Sequence, residues 1–198
     1  EVRVVREIQA WTDPRCAALR LLADQLDERR IVGEAAELGV YRGDFAKEIS
    51  RCFPDRKLYL FDSFSGFCAE DVAAEHEMGF SRAACGDFSD ADPEAVVGRL
   101  PYPEKAVVVP GHFPESAAAV PESVRFAFVS IDADLYLPTR HALLYFYDRL
   151  SPGGALLIHD YNSTQFSGVR RAVDEFCNKN ALLPFPVGDF HGSCVIRR

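Results

Sequence analysis

The sequence contains no uninterrupted apolar run of about 18 residues, so it predicts no transmembrane helix. No basic segment followed by an apolar stretch opens it, so no secretory leader is predicted either. Basic residues are in deficit, because 22 lysines and arginines face 30 aspartates and glutamates, for a formal net charge of −8. Nucleic acids and anionic membranes require phosphate neutralisation, and this balance disfavours both as partners.

The six cysteines include no pair with C-x-x-C spacing, which argues against a zinc knuckle and against a dithiol redox motif. Their scatter is typical of reduced core thiols, so we expect a cytoplasmic protein. No internal repeat or low-complexity segment is present. With 48% hydrophobic residues, the chain can bury one sizeable core, and residues 1–198 are predicted to form a single domain.

Amphipathic helical patterns and short apolar runs alternate along the chain. The helices are predicted at 13–30, 41–53, 138–150 and 168–177, with a weaker one at 93–99, and the strands at 32–37, 57–64, 105–113, 125–132 and 154–160. The segments 181–187 and 192–198 are predicted to close the fold as a hairpin. This alternation favours βαβ units and a mostly parallel sheet.

Two segments lie outside this alternation. Residues 1–31 are predicted to form an N-terminal helical segment. Residues 65–98 are polar, rich in glycine and long for a connection in a compact domain, and such loops are often functional. We therefore interpret 65–98 as a lid insertion, irregular apart from the weak helix near its end.

Acidic residues follow two of the predicted strands. Asp132 and Asp134 come directly after an apolar run, and Asp160 follows another. An unpaired buried carboxylate is costly, so these acids are expected either to face solvent or to hold something positive. In open α/β sheets, ligands bind beyond the carboxyl ends of the strands, where these acids are expected to lie.

The stretch AELGVYRGDF joins the first strand to the following helix through an E-x-G-x-x-x-G pattern. Glu37, Gly39 and Gly43 are its fixed positions, and Tyr41 occupies the place of the second glycine of a dinucleotide fingerprint. A pyrophosphate would meet the tyrosine side chain there, so a nucleoside cofactor without pyrophosphate, such as S-adenosylmethionine, fits the turn better. A tight strand-to-helix turn with no ligand is the alternative interpretation.

Asp62 ends the second predicted strand. An acid there can accept hydrogen bonds from both ribose hydroxyls. NAD and S-adenosylmethionine share that requirement, so Asp62 supports a nucleoside-containing cofactor but does not distinguish between the two. A solvated loop acid remains the alternative.

Five motifs together resemble the macrocin O-methyltransferase family, over about residues 32–176: AELGVYRGDFAKEI, LFDSFSGF, PGHFPES, FVSIDADLYLPTRHALLYFYDRLSPGGALLIHDYN and GVRRAVDEF. The resemblance implies a Rossmann-like class I methyltransferase: a mostly parallel seven-stranded sheet with helices on both faces and a C-terminal antiparallel hairpin. It also implies S-adenosylmethionine as cofactor, a divalent metal and a sugar hydroxyl as acceptor.

The resemblance distributes roles over this chain. Glu37, Gly39 and Gly43 are expected to hold the methionine end of the cofactor, and Asp62 the ribose. The rest of the predicted cofactor pocket comprises Tyr41, Ser63, Gly111, His112 and Asp132. His112 follows the third strand, where adenine would reach, although a solvated loop histidine is equally compatible with the sequence. Asp132 and Asp160 are expected to bind the metal.

One position departs from the family pattern, because His159 stands where relatives often have an acid. Mg²⁺ prefers oxygen ligands, whereas a histidine ligand favours Mn, Fe, Ni or Zn. Since adjacent strand residues point in opposite directions, we expect Asp160 to face the metal and His159 to orient Asp160. Direct coordination, a general-base role and a packed core position remain alternatives for His159.

Asp134 has two interpretations of equal weight. On a continuing strand it would share a face with Asp132 and act as a third ligand or as an acceptor for the substrate proton. Otherwise it would begin the next helix. Asp132, Asp134 and His159 are the predicted catalytic residues.

The leading hypothesis is an S-adenosylmethionine-dependent O-methyltransferase, acting on a sugar of a glycoside or nucleotide sugar with help from a divalent metal such as Mg²⁺. A NAD-dependent enzyme and a non-catalytic nucleoside-binding domain remain alternatives on the same fold. The sequence leaves open the acceptor, the metal and any homo-oligomer.

Overall fold

The computed structural model describes residues 13–198, which build one seven-stranded sheet in the order β3-β2-β1-β4-β5-β7-β6. Its strands are β1 (Glu34–Leu38), β2 (Leu58–Asp62), β3 (Ala106–Pro110), β4 (Phe126–Ile131), β5 (Leu150–Ile158), β6 (Phe185–Pro186) and β7 (Cys194–Arg197). The first five strands are parallel, and β7 runs antiparallel between β5 and β6. The predicted mostly parallel sheet and its C-terminal hairpin are confirmed.

The central strands are apolar because both of their faces are covered. Every residue of β4 is buried. One face of the sheet packs against α3 (Ala69–Met78), α5 (Tyr136–Arg149) and α6 (Ser167–Asn180), and the other packs against α1 (Pro14–Glu28), α2 (Asp44–Cys52) and α4 (Pro93–Gly98). This confirms the prediction of helices on both faces.

The predicted N-terminal helix is α1, and its start follows the local chemistry. The Asp13 side chain accepts a hydrogen bond from the Arg15 N–H at 2.9 Å, and Pro14 occupies the first helical turn. Residues 1–12 of the predicted N-terminal segment lie outside the described range. Among the described residues, no helix is long and apolar enough to cross a membrane.

Helix α3 corrects the prediction that residues 65–98 are irregular apart from a weak helix near the end. The pattern is weak because α3 is short and rich in alanine and acids. Tertiary contacts stabilise it instead. Asp71, Val72 and Glu75 are buried, and one carboxylate oxygen of Glu75 accepts a hydrogen bond from the Tyr136 N–H at 2.6 Å, at the start of α5.

The turns after β1 and β4 touch through their backbones. Gly39 has φ +81°, and a Cβ placed on it would lie 1.8 Å from the carbonyl oxygen of Asp132. The Asp132 N–H in turn donates to the Leu38 carbonyl at 2.8 Å. Only glycine permits this approach, which places the glycine-rich turn directly beside the acid that follows β4.

Replacing Gly39 with alanine should lower the free energy of unfolding by roughly 2–5 kcal/mol, because strain at positive φ adds to an overlap with backbone. Gly98→Ala is the matched control, since a Cβ there meets no heavy atom within 4 Å. It should change stability by about 1 kcal/mol or less. Denaturant unfolding measures both, and equal stabilities would contradict the predicted constraint.

Candidate active site

A cavity of about 460 Å³ opens at the carboxyl ends of the parallel strands. All predicted site residues except Gly43 line it: Glu37, Gly39, Tyr41, Asp62, Ser63, Gly111, His112, Asp132, Asp134, His159 and Asp160. Gly43 instead begins α2 with φ +78°, and a Cβ there would meet Val96 of α4 at 2.8 Å. It shapes the turn and does not line the cavity.

Asp62 holds the glycine-rich turn in place. Its Oδ2 accepts hydrogen bonds from the N–H groups of Val40 at 2.7 Å and Tyr41 at 2.9 Å, and its Oδ1 accepts one from Phe64 at 2.7 Å. Tyr41 has φ +48°, a conformation that these bonds help to maintain. Asp62 therefore connects the ends of β1 and β2 before any ligand is present.

Glu37 is a buried carboxylate in the cavity wall. Glu37 lies in β1 and is only 1% exposed, yet its Oε2 has no hydrogen-bond partner among residues 13–198. Burial raises the pKa of Glu37 well above its ordinary value, and Arg15 counteracts this only in part. A buried acceptor without a partner is costly, which makes Glu37 a candidate ligand-binding group.

Arg15 is a site residue that the sequence pattern does not identify. It extends from α1 into the cavity, is 6% exposed, and donates to Asp132 Oδ2 at 2.9 Å and to Ser130 Oγ at 3.1 Å. Its guanidinium lies 3.8 Å from the centre of the Phe45 ring. The apolar spacing of α1 identifies the core-facing leucines, but no local signal marks an arginine that pairs with an acid 117 residues later.

His159 lies between two carboxylates. Its Nδ1 is 3.0 Å from Asp132 Oδ1 and 2.9 Å from Asp160 Oδ2. Burial alone would lower the pKa of His159, but the hydrogen bonds to the two acids prevail and raise it to about 10. Burial also opposes the ionisation of Asp132, yet the charges of Arg15 and His159 hold the pKa of Asp132 below its usual range.

The expectation that His159 and Asp160 point apart is wrong. Strand β5 ends at Ile158, and Asp160 has φ +57°, so strand alternation no longer applies there. Both side chains line the cavity. His191, from the loop before β7, also approaches the cluster, with its Nδ1 3.5 Å from Asp160 Oδ1.

Neither placement expected for Asp134, on a continuing strand or at the start of the next helix, is found. Strand β4 ends at Ile131 and Asp134 has φ +57°, so no continuing strand aligns it with Asp132. It does not cap α5 either, because Glu75 bonds the first N–H of that helix and no cap bond comes from the preceding residue. Burial, reinforced by Asp132 and Asp160, raises the pKa of Asp134 well above its ordinary value.

His112 lines the cavity, but both of its ring nitrogens have partners. Nε2 is 2.9 Å from Asp71 Oδ2 and Nδ1 is 2.8 Å from Glu115 Oε2. The His112 side chain is 38% exposed and bonded at both nitrogens, so it is a partly exposed residue of the cavity wall. A ligand could contact the imidazole ring through its face, while the nitrogens remain engaged.

Comparison with solved structures identifies the class of protein to which this fold belongs. Solved methyltransferases match the fold. The calicheamicin methyltransferase CalS11 has a TM-score of 0.74 at 18% identity, covering 92% of this chain and 77% of that chain. TomG from Streptomyces achromogenes, solved in complex with S-adenosylmethionine, has a TM-score of 0.58 at 14% identity, covering 91% and 79%. The strand order and these likenesses confirm the Rossmann-like class I methyltransferase fold.

The family follows from the sequence match. Residues 11–198 match the family described as Macrocin-O-methyltransferase (TylF), and the chain belongs to this family. It is 30% identical over 164 residues to mycinamicin III 3''-O-methyltransferase from Micromonospora griseorubida, covering 77% of this chain and 63% of the relative.

A second relative comes from Streptomyces olivaceus: the 8-demethyl-8-(2,3-dimethoxy-alpha-L-rhamnosyl)-tetracenomycin-C 4'-O-methyltransferase. It is 29% identical over 181 residues, covering 85% of this chain and 66% of the relative. The chain thus spans slightly less than two thirds of the length of each of these relatives.

Asp62→Ala should lower the free energy of unfolding by about 2–4 kcal/mol, because three backbone N–H groups lose a charged acceptor. The control is Asp44→Ala, which removes an exposed carboxylate paired with Arg99 and should cost less than about 1 kcal/mol. Urea unfolding without ligand measures the difference. If Asp62→Ala were as stable as the control, Asp62 would have no role in holding the turn.

Proposed function

We propose that this protein transfers a methyl group from S-adenosylmethionine to a hydroxyl of a sugar in a small-molecule glycoside. The observation that carries the proposal is the orphaned carboxylate oxygen of Glu37, buried at the wall of the cavity. The amino group of the cofactor's methionine end would supply the missing donor. Family membership supports the same assignment independently.

Arg15 complements Glu37 with the opposite charge. Both side chains line the cavity, both are more than nine-tenths buried, and no ion pair joins them among the contacts of the described residues. Within the described part of the chain, the Nε of Arg15 also lacks a hydrogen-bond partner. A free α-amino acid group carries an ammonium and a carboxylate, so this pair suits the methionine end of S-adenosylmethionine better than an uncharged ligand.

The nucleoside end would lie over the turns after β1 and β2. Asp62 Oδ1 accepts one hydrogen bond from the described residues and keeps capacity for a ribose hydroxyl. Tyr41 lines the cavity at the point where a dinucleotide would place its pyrophosphate. This arrangement favours S-adenosylmethionine over NAD.

The cluster of Asp132, His159 and Asp160 fits a divalent cation. One donor atom from each lies within 4.8 Å of the others, and the 2.9–3.0 Å separations at His159 Nδ1 suit neighbouring ligands of one ion. Two carboxylates and an imidazole suit Mn²⁺ or another nitrogen-tolerant metal better than Mg²⁺. When bound, such a cation would lower the pKa of a sugar hydroxyl beside it.

The protein's own residues would position the acceptor and receive its proton. In the transfer, the hydroxyl oxygen forms a bond to the methyl carbon as the sulfur–carbon bond breaks, leaving a neutral thioether and one proton. Asp134, in its ionised form, is the proposed proton acceptor, because it lies in the same cavity and a raised pKa makes its carboxylate a stronger base. Arg15 would keep Asp132 ionised and oriented through its 2.9 Å bond.

An aromatic wall would receive the acceptor. Phe67 lies 5.3 Å from Phe88 and 6.4 Å from Phe166, measured between ring centres, and all three line the cavity. Phe67 and Phe88 belong to the segment proposed as a lid. The name of the Streptomyces olivaceus relative specifies O-methylation of a compound that carries an alpha-L-rhamnosyl group, which supports a glycoside as the substrate.

The function is tested directly by incubating the protein with S-adenosylmethionine and mycinamicin III and following the release of S-adenosylhomocysteine. We expect methylated product, with a manganese-supplemented reaction faster than one in chelator. Hydrolysis of the cofactor without methylated product from this or any glycoside of a broad panel would contradict the proposal.

Glu37→Gln should weaken binding of S-adenosylhomocysteine about 10-fold or more, because the cofactor's ammonium loses a charged acceptor. Binding of 5'-methylthioadenosine, which lacks the amino-acid group, should change less than about twofold and serves as the control ligand. Isothermal titration measures both. Equal losses for the two ligands, or micromolar NAD binding without a response to S-adenosylhomocysteine, would refute the assignment.

His159→Asp should shift the metal preference from Mn²⁺ towards Mg²⁺, because a carboxylate replaces the imidazole in the donor set. Asp132→Asn should abolish metal-dependent turnover while the affinity for S-adenosylhomocysteine changes less than about 10-fold, since a metal ligand is lost and Glu37 remains. Calorimetric metal titration gives a readout independent of turnover. Unchanged Mn²⁺ binding in both variants would show that the metal does not bind to this cluster.

A further inference from the structure

A second group of potential ligands lies in the cavity wall, formed by Cys68, Asp71 and His112. The Nε2 of His112 is 3.3 Å from the Sγ of Cys68 and 2.9 Å from Asp71 Oδ2. All three donor atoms lie within 4.8 Å of one another. Cys68 and Asp71 belong to the start of α3, and His112 follows β3, so the group joins the proposed lid segment to the sheet.

We propose that Cys68, Asp71 and His112 bind a thiophilic divalent transition-metal ion, represented by Zn²⁺. A thiolate, an imidazole and a carboxylate are the three ligand types that zinc uses in proteins. The thiolate and the carboxylate together neutralise the two charges of the ion. With three protein ligands at a cavity wall, the fourth position faces the cavity and stays open to water or a ligand.

The surroundings hold each donor in a suitable orientation. Glu115 Oε2 lies 2.8 Å from His112 Nδ1, on the ring nitrogen away from the cluster. A carboxylate there fixes the tautomer in which Nε2 has its lone pair available to a metal. Asp71 is 7% exposed, so the packing of α3 restricts its side chain.

Cys68 is fixed by its place in the helix. It is the N-cap residue of α3, and its sulfur accepts a hydrogen bond from the Asp71 N–H at 3.4 Å. Without an ion, the same side chains can form a hydrogen-bonded cluster in which His112 bridges its neighbours. That cluster is the competing explanation, and the two differ in one observable: only a bound metal produces a metal–thiolate bond.

This site differs in chemistry from the cluster around Asp132, which contains no thiol. Its existence does not rest on methyl transfer. A metal here would fasten α3 to the loop after β3 and so fix one wall of the cavity. The variants that test it can therefore be chosen outside Asp132, His159 and Asp160.

Titration of the chelator-treated protein with Co²⁺ tests the proposal, because a cobalt–thiolate bond gives a near-ultraviolet charge-transfer band. We expect the band in the unmodified protein and its loss on addition of Zn²⁺. Cys68→Ser should abolish it. Serine is a favourable N-cap residue, so this variant should keep α3 and its unfolding midpoint.

Two controls should retain the band: Cys85→Ser, which removes an exposed thiol of the same segment, and Asp132→Asn, which alters the other cluster. Glu115→Gln should weaken Zn²⁺ binding about 10–100-fold, as the loss of a carboxylate behind a metal-bound histidine typically does. Absence of the band in the unmodified protein, or its persistence in Cys68→Ser, would overturn the site. An unchanged affinity in Glu115→Gln would overturn the orienting role of Glu115.

Discussion

The structure depends on how it compensates carboxylates at the ends of its parallel strands. Each of these buried or partly buried acids requires a positive or hydrogen-donating partner, because an unpaired one is costly. Backbone N–H groups supply it for Asp62, and Arg15 and His159 supply it for Asp132. These compensations connect the ends of β1, β2, β4 and β5 to one another and to α1. The contacts that offset the free-energy cost of these acids therefore also position the residues that line the cavity.

The acidic side chains are only partly compensated in the part of the cavity where the proposed ligands would bind. Among the described residues, Glu37 keeps a carboxylate oxygen with no partner, and burial raises its pKa because the charge of Arg15 offsets the desolvation only in part. At Asp134 burial acts in the same direction, reinforced by neighbouring acids. The ammonium of the cofactor would favour the ionised form of Glu37, and a bound cation would favour the ionised form of Asp134. In the proposed function, ligand binding therefore also compensates these two carboxyl groups.

The segment after β2, which includes the proposed lid, contacts the start of α5 and the loop after β3. Helix α3 contributes Glu75 to the start of α5 and Asp71 to His112, so its position affects both the turn that carries Asp132 and the loop after β3. Phe67 and Phe88, which lie in the same segment but outside α3, form part of the proposed acceptor wall. Helix α3 has no long apolar stripe, so its position depends on these contacts. A displacement of α3 would therefore also displace the residues of the site that it contacts.

The sequence alone determined the architecture apart from α3, because the alternation of apolar strands with amphipathic helices is local and needs no knowledge of contacts. It also placed the acids correctly at the carboxyl edge, since the end of a strand is visible in the chain. Tertiary structure decided which atoms meet. Arg15 reaches Asp132 across 117 positions, and left-handed conformations at Asp134 and Asp160 redirect their side chains. Both depend on packing between distant segments, and no local pattern encodes that packing.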